Sequence, residues 1–235
     1  MSEGQPPGSG RRRVPSPPEG RPLPLGDEDS NPPGMRLRDL LKEDFETHGR
    51  DLLSPGFWAL AICRFGNWRM SRPRYVRPPL TIAYRFGRQA AIALWGIDIP
   101  YNSTVGRRVR IDHHGGFFLG ALSVGDDVVI RHTATIGLIR RGASRAPVIG
   151  SNVEIGPGAC IVGDITVGDG AFIGPNTVVT QDVPAGAFAL GNPGRLVDRA
   201  RVIDAPPARA ADAPPAKQPP AVAPETAPVV AQSKL

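Results

Sequence analysis

Six successive hexapeptides run from Ile149 to Pro184 and read IGSNVE, IGPGAC, IVGDIT, VGDGAF, IGPNTV and VTQDVP. Each begins with Ile or Val, and glycine follows in four of the six. A period of six is neither the 3.6 of a helix nor the 2 of a simple strand. It is typical of a solenoid with three short strands per coil, in which the aliphatic residue points inward and glycine serves the turns.

The six-residue spacing also runs upstream of this block, with two interruptions. One extra residue shifts the spacing near 119–123. The second interruption, residues 138–146 (LIRRGASRA), is too long for a solenoid corner, and an extruded loop in a regular repeat is usually where function lies. The upstream aliphatic positions are Ile99, Val105, Ile111 and Phe117, followed after the shift by Val124, Ile130 and Ile136.

The segment before the solenoid is predicted to be a small all-helical region. Leu37, Leu40 and Leu41 recur at helical spacing within residues 36–72. A second helix is predicted to begin at Ser54-Pro55, because serine caps a helix N-terminus and proline suits the first turn. The prolines between 73 and 79 break the helix, and a third helix is predicted at about 80–95.

Proline divides the chain of 235 residues into one globular unit and two tails. Of the 27 prolines, nine lie in residues 1–34 and eight in residues 205–235. Such segments bury too little apolar surface to offset the entropy lost on folding. We therefore expect a disordered tail at 1–34, a helical region at 35–97, a β-solenoid at 98–197 and a second disordered tail at 198–235.

Composition excludes several classes of protein. No apolar run reaches the ~18–20 residues of a membrane span, and the basic N-terminus lacks the apolar stretch of a secretory signal. Two cysteines and four histidines without a CxxC pair argue against a disulfide framework and a structural zinc site. We expect a cytoplasmic protein without a bound metal.

The net charge of +6 is unevenly distributed. No Asp or Glu lies between Leu52 and Ile97, whereas seven arginines do. This stretch is either a solvated helical face or a surface that attracts anions, such as nucleic acid, an acidic membrane or a phosphorylated substrate or cofactor. The arginines are Arg64, Arg69, Arg72, Arg74, Arg77, Arg85 and Arg88.

A short motif narrows the choice among solenoid proteins. The string DHHGG at residues 112–116 resembles the serine acetyltransferase family, whose motif is Asp-His with a Gly two residues later. Members also carry an Asp-Ile pair ahead of it, here Asp98-Ile99, and a Gly-x-Pro, here residues 191–193. The resemblance covers about residues 37–197. It implies a mainly β protein, a left-handed parallel β-helix preceded by helices, assembled as a homotrimer or a dimer of trimers.

The resemblance also implies an activity, transfer of the acetyl group of acetyl-CoA to a hydroxyl group. His113 would be the general base, Asp98 would orient it, and Asp112 would help bind the amino group of serine. A neutral imidazole can take a proton from an alcohol, which is otherwise a poor nucleophile, and a carboxylate on its second nitrogen fixes the tautomer. His114 is expected to support the base or be neutral, and His132 to pack within the solenoid.

Coenzyme A is long and polyanionic, so main-chain amides at corners and nearby arginines are its expected partners. We predict that Ala159 and Thr177 line the path of its pantetheine arm. Arg140, Arg141 and Arg145 are candidates for contact with its phosphates or with the acceptor.

Two departures from the family pattern leave the acceptor open. Serine-specific members carry Arg-His-Pro after the extruded loop, where this chain has Arg145-Ala146-Pro147, and the Asp-Pro serine contact in the helical region is absent. These changes resemble the serine acetyltransferase-like branch, some of whose members acetylate sugars. We predict serine O-acetylation in cysteine biosynthesis. A sugar or polysaccharide hydroxyl is the alternative acceptor, and a non-catalytic binding scaffold is the alternative from another class.

The tails suggest further partners. In the resembling family a flexible C-terminal tail inserts into cysteine synthase, and the tail here ends in an aliphatic residue. The tryptophans among the arginines keep a peripheral membrane contact open, and no nucleic acid partner is expected. The final Ser233-Lys234-Leu235 matches a peroxisomal address, which carries no meaning in the bacterial origin that the composition suggests.

Overall fold

A computed structural model of the chain describes residues 27–113, 115–140 and 145–197. The tail segments 1–26 and 198–235, His114 and Arg141 lie outside the described residues. The described chain begins ahead of the predicted boundary at residue 34, and Asn31 Nδ2 donates to the carbonyl of Arg64 at 2.9 Å. The helices are α1 (Leu37–Thr47), α2 (Pro55–Trp68), a 3₁₀ turn (Arg69–Ser71) and α3 (Arg77–Trp95).

Short strands follow α3 through the rest of the described chain. They are β1 (Ile97–Asp98), β2 (Thr104–Val105), β3 (Arg110–Asp112), β4 (Phe117–Leu119), β5 (Ser123–Val124), β6 (Val129–Arg131), β7 (Thr135–Gly137), β8 (Val148–Ile149), β9 (Glu154–Ile155), β10 (Cys160–Val162), β11 (Thr166–Val167), β12 (Phe172–Ile173), β13 (Val178–Val179), β14 (Phe188–Leu190) and β15 (Arg195–Val197).

The strands form three parallel sheets because every third strand lies on the same side of the coil. Sheet A is β1-β4-β7-β10-β13, sheet B is β2-β5-β8-β11, and sheet C is β3-β6-β9-β12-β14. The last strand, β15, is antiparallel and closes sheet C as a hairpin with β14. The predicted parallel β-solenoid preceded by helices is confirmed.

The inward positions of the hexapeptides make up the core. The residues that begin the six hexapeptides are at most 2% exposed. The fifth residue of each hexapeptide is also buried, at 6% exposure or less. Burial of these aliphatic side chains is the main favourable term that the coil gains on folding. The residues of the first set are Ile149, Ile155, Ile161, Val167, Ile173 and Val179.

The helices follow the predicted start signals, with one difference. Ser54 caps α2, and its hydroxyl accepts from Phe57 N at 3.4 Å. The third helix starts at Arg77 rather than near 80, so that Pro78 and Pro79 lie in its first turn. Proline is tolerated there because the missing N–H would have no partner within the helix.

A buried arginine joins the helices to the solenoid. Arg64 of α2 is 1% exposed, and its Nε donates to Asp44 Oδ2 of α1 at 3.1 Å. Its two terminal nitrogens donate to the carbonyl oxygens of Val105 and Gly106, where β2 leaves the first coil. Burial raises the pKa of Asp44, against the opposing effect of the Arg64 charge. One guanidinium therefore satisfies groups from α1 and from the solenoid at once.

Two further contacts fix α1 against the coil. Glu43 accepts from Arg107 at 2.7 Å and 3.1 Å. His48 donates from Nδ1 to the carbonyl of Asp44 at 2.7 Å and accepts at Nε2 from the N–H of Ile111 at 3.2 Å. Both ring nitrogens of His48 are thus used, and they link the end of α1 to the backbone of β3.

Only some of the seven arginines between Leu52 and Ile97 lie on the surface. Arg64 is buried, Arg69 lies 4.5 Å and 4.1 Å from the ring centroids of Tyr84 and Tyr101, and Arg88 forms an ion pair with Asp98. Three of the seven arginines therefore hold the fold together. Arg64 and Arg69 are buried and so belong neither to a solvated face nor to an anion-attracting one. Sequence spacing does not show which arginines turn inward.

Replacing Arg64 with methionine is expected to destabilise the protein by about 3–5 kcal/mol, because it leaves the carboxylate of Asp44 buried without its partner. Urea unfolding followed by circular dichroism measures this. Adding Asp44→Asn should recover part of the loss, and Arg85→Met, the same change at an exposed site, should stay within about 0.5 kcal/mol of the parent. An R64M protein with an unchanged urea midpoint would contradict this account of the fold.

Candidate active site

The corner that carries the DHHGG motif is longer than the corner beside it. Asp112 pairs with Arg131 in sheet C, and Phe118 pairs with Thr135 in sheet A. The step from the paired position in sheet C to the paired position in sheet A is therefore six residues in one coil and four in the next. The corner between β3 and β4 is thus two residues longer, a bulge that begins at His113, and the step from β4 to β5 is shorter by one. The one extra residue predicted near 119–123 is thus the sum of a two-residue lengthening and a one-residue shortening. The repeat spacing alone could not separate these two changes.

His113 lies on this bulge and is exposed. Its backbone is left-handed, with φ of 64°, a conformation that costs little energy only for small or locally hydrogen-bonding residues. The structure leaves the side chain of His113 accessible from solvent, and its role as a general base stays a prediction.

A cavity of about 430 Å³ opens beside His113. One wall is β3 and the bulge, and the other is the end of α1 with the loop that leads to α2. Within it Arg110 donates to Asp112 at 2.8 Å, so that Asp112 enters the cavity already paired. The lining residues are Glu46, Thr47, His48, Gly49, Ser54, Arg110, Ile111, Asp112 and His113.

Sequence reasoning did not predict the residues that α1 contributes to this cavity. Glu46 and Thr47 occupy its last turn, and Gly49 and Ser54 follow in the loop. No motif marks them, because they reach the site only through the Arg64 and His48 contacts described above. The one available signal was the acidic and polar end of α1 just before the cap at Ser54.

Asp98 lies on β1 with its carboxylate bound by α3. Arg88 donates to both of its oxygens, at 2.7 Å and 2.9 Å, and this hydrogen bonding raises the pKa of Arg88. Among the described residues, Asp98 and His113 share no hydrogen bond. The orienting role of Asp98 stays a prediction, and Arg88 is a competitor for it that the motif did not reveal.

Arg140 and Arg145 lie at a different corner, between sheets A and B. Arg140 lines a second cavity of about 340 Å³ together with Pro100, Phe118 and Leu138. Arg145 donates to Asp164 at 2.9 Å. In a single chain this corner and the His113 corner are separated by sheet A, so that the coil does not bring Arg145 to His113.

Ala159 and Thr177 are core residues. Both are fully buried and stack at the inward position that Ala134 occupies in the preceding coil. The Thr177 hydroxyl accepts from the N–H of Gly191 at 3.1 Å inside the coil. The contact of Ala159 and Thr177 with the pantetheine arm stays a prediction, because the repeat turns these two side chains inward while neighbours such as Cys160 face outward.

Ala146 is also buried, at 2% exposure. The position that carries histidine in serine-specific members is here packed against the coil. Within residues 27–113, 115–140 and 145–197, no group of three or more His, Cys, Asp or Glu side chains could hold a metal ion. In the same residues no helix is long and apolar enough to cross a membrane.

The hexapeptide repeat matches a known protein family. Residues 146–181 match the family described as bacterial transferase hexapeptide (six repeats). A parallel three-sheet solenoid with this repeat defines the chain as a hexapeptide-repeat transferase in fold.

Longer matches give the particular family. The chain is 40% identical over 149 residues to a serine acetyltransferase of Mycobacterium tuberculosis, covering 63% of this chain and 62% of that protein. It is 37% identical to the Helicobacter pylori enzyme of that name, over 50% of this chain and 67% of the relative. It also resembles the structure of the soybean serine acetyltransferase apoenzyme, with 34% identity, TM-score 0.59 and coverage of 68% and 69%. The chain belongs to the serine acetyltransferase family.

Proposed function

We propose that the protein is an acetyl-CoA-dependent O-acetyltransferase whose acceptor is L-serine, supplying cysteine biosynthesis. The observation that carries the proposal is the exposed imidazole of His113, on the bulge beside Asp112 at the mouth of a cavity. Membership of the serine acetyltransferase family supports the reaction class. The chain spans 62% of the length of the Mycobacterium relative.

In the proposed reaction His113 removes the proton of the acceptor hydroxyl as its oxygen attacks the thioester carbonyl of acetyl-CoA. The carbon–sulfur bond then breaks, the acetyl group stays on the acceptor oxygen, and the imidazolium returns its proton to the departing thiolate. An imidazole suits both steps because it gains and loses a proton near neutral pH. Asp112 and Glu46 give the cavity negative charge suited to an ammonium group, and Arg110 gives a positive charge suited to a carboxylate.

We propose that the coenzyme binds along sheet A toward the second cavity. There the apolar wall formed by Phe118 and Leu138 suits a pantetheine arm, and Arg140 suits a phosphate. Arg141 is proposed for the same role from sequence alone. The main-chain amides of the outward-facing corners are the remaining partners.

We also propose a homotrimer or dimer of trimers as the working assembly. The acceptor cavity and the corner of Arg140 and Arg145 lie on different sides of the coil in one chain. Packing coils side by side would bring the His113 corner of one copy toward the Arg140 and Arg145 corner of the next. Cysteine synthase as a partner of the C-terminal tail and a cytoplasmic location remain proposals from the family resemblance.

A sugar hydroxyl is the second candidate acceptor, and the surroundings of Ala146 and Arg145 favour it. Ala146 supplies no donor to a carboxylate and is buried, while Arg145 already donates to Asp164. A missing hydrogen bond to a charged group weakens binding by about 1.5–3 kcal/mol, or one to two decades. An amino acid acceptor would then bind weakly or through Arg110.

His113→Ala should lower kcat by about 10²–10⁴-fold, because the reaction loses its base. The melting temperature should not change, since the side chain is exposed and fills no core space. Release of free coenzyme A, followed with a thiol reagent, measures the rate. Thr166→Ala, an outward-facing residue of β11, is the control and should keep full activity. An H113A enzyme with the parental kcat would refute the assignment.

Asp98→Asn and Arg88→Gln together test the orienting carboxylate. If Asp98 holds the tautomer of His113, D98N should lower kcat by about 10-fold or more, and R88Q should not, because it releases the carboxylate for the imidazole. Steady-state kinetics and thermal unfolding of both variants measure this. Equal loss of melting temperature with unchanged kcat in both would assign the pair to α3 packing alone.

Acceptor profiling with acetyl-CoA separates the two acceptors. With serine as the true acceptor, thiol release should saturate with a weak KM, because Ala146 supplies no donor to the carboxylate. With a sugar acceptor, serine should give no turnover above the acetyl-CoA hydrolysis blank. Mass spectrometry of the product confirms which oxygen carries the acetyl group. No turnover with either class would leave the scaffold as the function.

A further inference from the structure

A second imidazole lies directly beside the proposed base. The rings of His113 and His132 meet edge to face, with centroids 5.6 Å apart and planes at 82°. The contact arises because Asp112 and Arg131 are paired in sheet C, so that the residues after them meet at the same corner. Sequence spacing had placed His132 only as a packing residue of the solenoid.

His132 carries a polar atom that nothing in its surroundings satisfies. Its Nδ1 is buried and has no hydrogen-bond partner among the described residues. The carbonyl of the same residue does have partners, since it accepts from Gly158 N at 3.1 Å and from the Thr133 hydroxyl at 2.7 Å. An unpartnered buried nitrogen destabilises the fold, which a leucine or phenylalanine at this position would avoid.

We infer that His132 is a positioning residue for His113, stabilising the imidazolium that forms when the base takes the acceptor proton. This inference rests on the proposed function. A ring face and a free nitrogen lone pair interact weakly with a neutral imidazole and strongly with a charged N–H. The contact therefore becomes favourable as the proton moves, which is the kind of interaction that raises kcat without tightening substrate binding.

Other charged groups near the pair are already partnered or lie across the cavity. Arg110 and Asp112 bind each other on β3, and Arg131 pairs with Glu154 on the neighbouring coil. From α1, Glu46 lies 3.6 Å from Arg50, and both nitrogens of His48 are hydrogen-bonded. Among the described groups His132 is the one whose ring contacts that of His113.

His132→Phe and His132→Gln test the inference. Phenylalanine keeps the ring packing and removes the nitrogen, so that kcat should fall about 10- to 100-fold with little change in the acceptor KM. Its melting temperature should be equal to or above that of the parent, because the unsatisfied nitrogen is gone. Glutamine offers a neutral acceptor again and should recover part of kcat.

The pH dependence provides a readout that a packing role would not move. If His132 stabilises the imidazolium, H132F should shift the acid limb of the kcat profile to lower pH, and H132Q should shift it less. Parental kcat and acid limb in H132F would overturn the inference. So would equal losses of activity and melting temperature in both variants.

An NMR titration of the His113 ring separates this inference from the proposed activity. Its midpoint should move to lower pH in H132F even if no acceptor is turned over, and His48 serves as the internal reference. If the wild-type protein shows no acetyl transfer but the midpoint shifts, the proposed function fails and the pairing stands. If transfer occurs and the midpoint is unmoved, the pairing fails and the proposed function stands.

Discussion

The structure depends on keeping the inward aliphatic positions of successive coils in register. Each coil donates backbone hydrogen bonds to the next through parallel strands, so that a shift of one residue on a strand would turn the core outward. Length changes are therefore confined to the corners. The step from Ile161 to its partner Val179 is 18 residues, and the extruded loop lengthens the step from Ile136 to Ile161 to 25 without disturbing either strand.

This constraint explains where chemistry can be placed. A side chain on an inward position, such as Ala159 or Thr177, is enclosed in the core. A corner tolerates extra residues, and the longer corner after Asp112 leaves the imidazole of His113 exposed to solvent. The same corner of the next coil carries His132, so that the register of sheet C sets the spacing between the two rings.

The helical region contributes more than a cap on the first coil. Arg64 holds α1 and β2 through one buried guanidinium, and His48 fixes the end of α1 to the backbone of β3. The cavity beside His113 exists because these contacts hold α1 in place. Breaking the buried ion pair would cost stability and would also remove one wall of the site. Arg88 extends this coupling to Asp98 at the start of the solenoid.

The sequence by itself determined the solenoid, the helical region before it and the motif at Asp112-His113, because a six-residue period and a local motif are properties of neighbouring residues. Which side chains contact each other became visible only in the tertiary structure. It placed Arg88 on Asp98, Arg145 on Asp164 and His132 against His113, and it turned Ala159 and Thr177 inward. These contacts join residues 10 to 19 positions apart or set which face of a strand a residue occupies. They depend on the length of each corner. The repeat spacing showed only the net one-residue shift, and not the two-residue lengthening before β4 and the one-residue shortening after it.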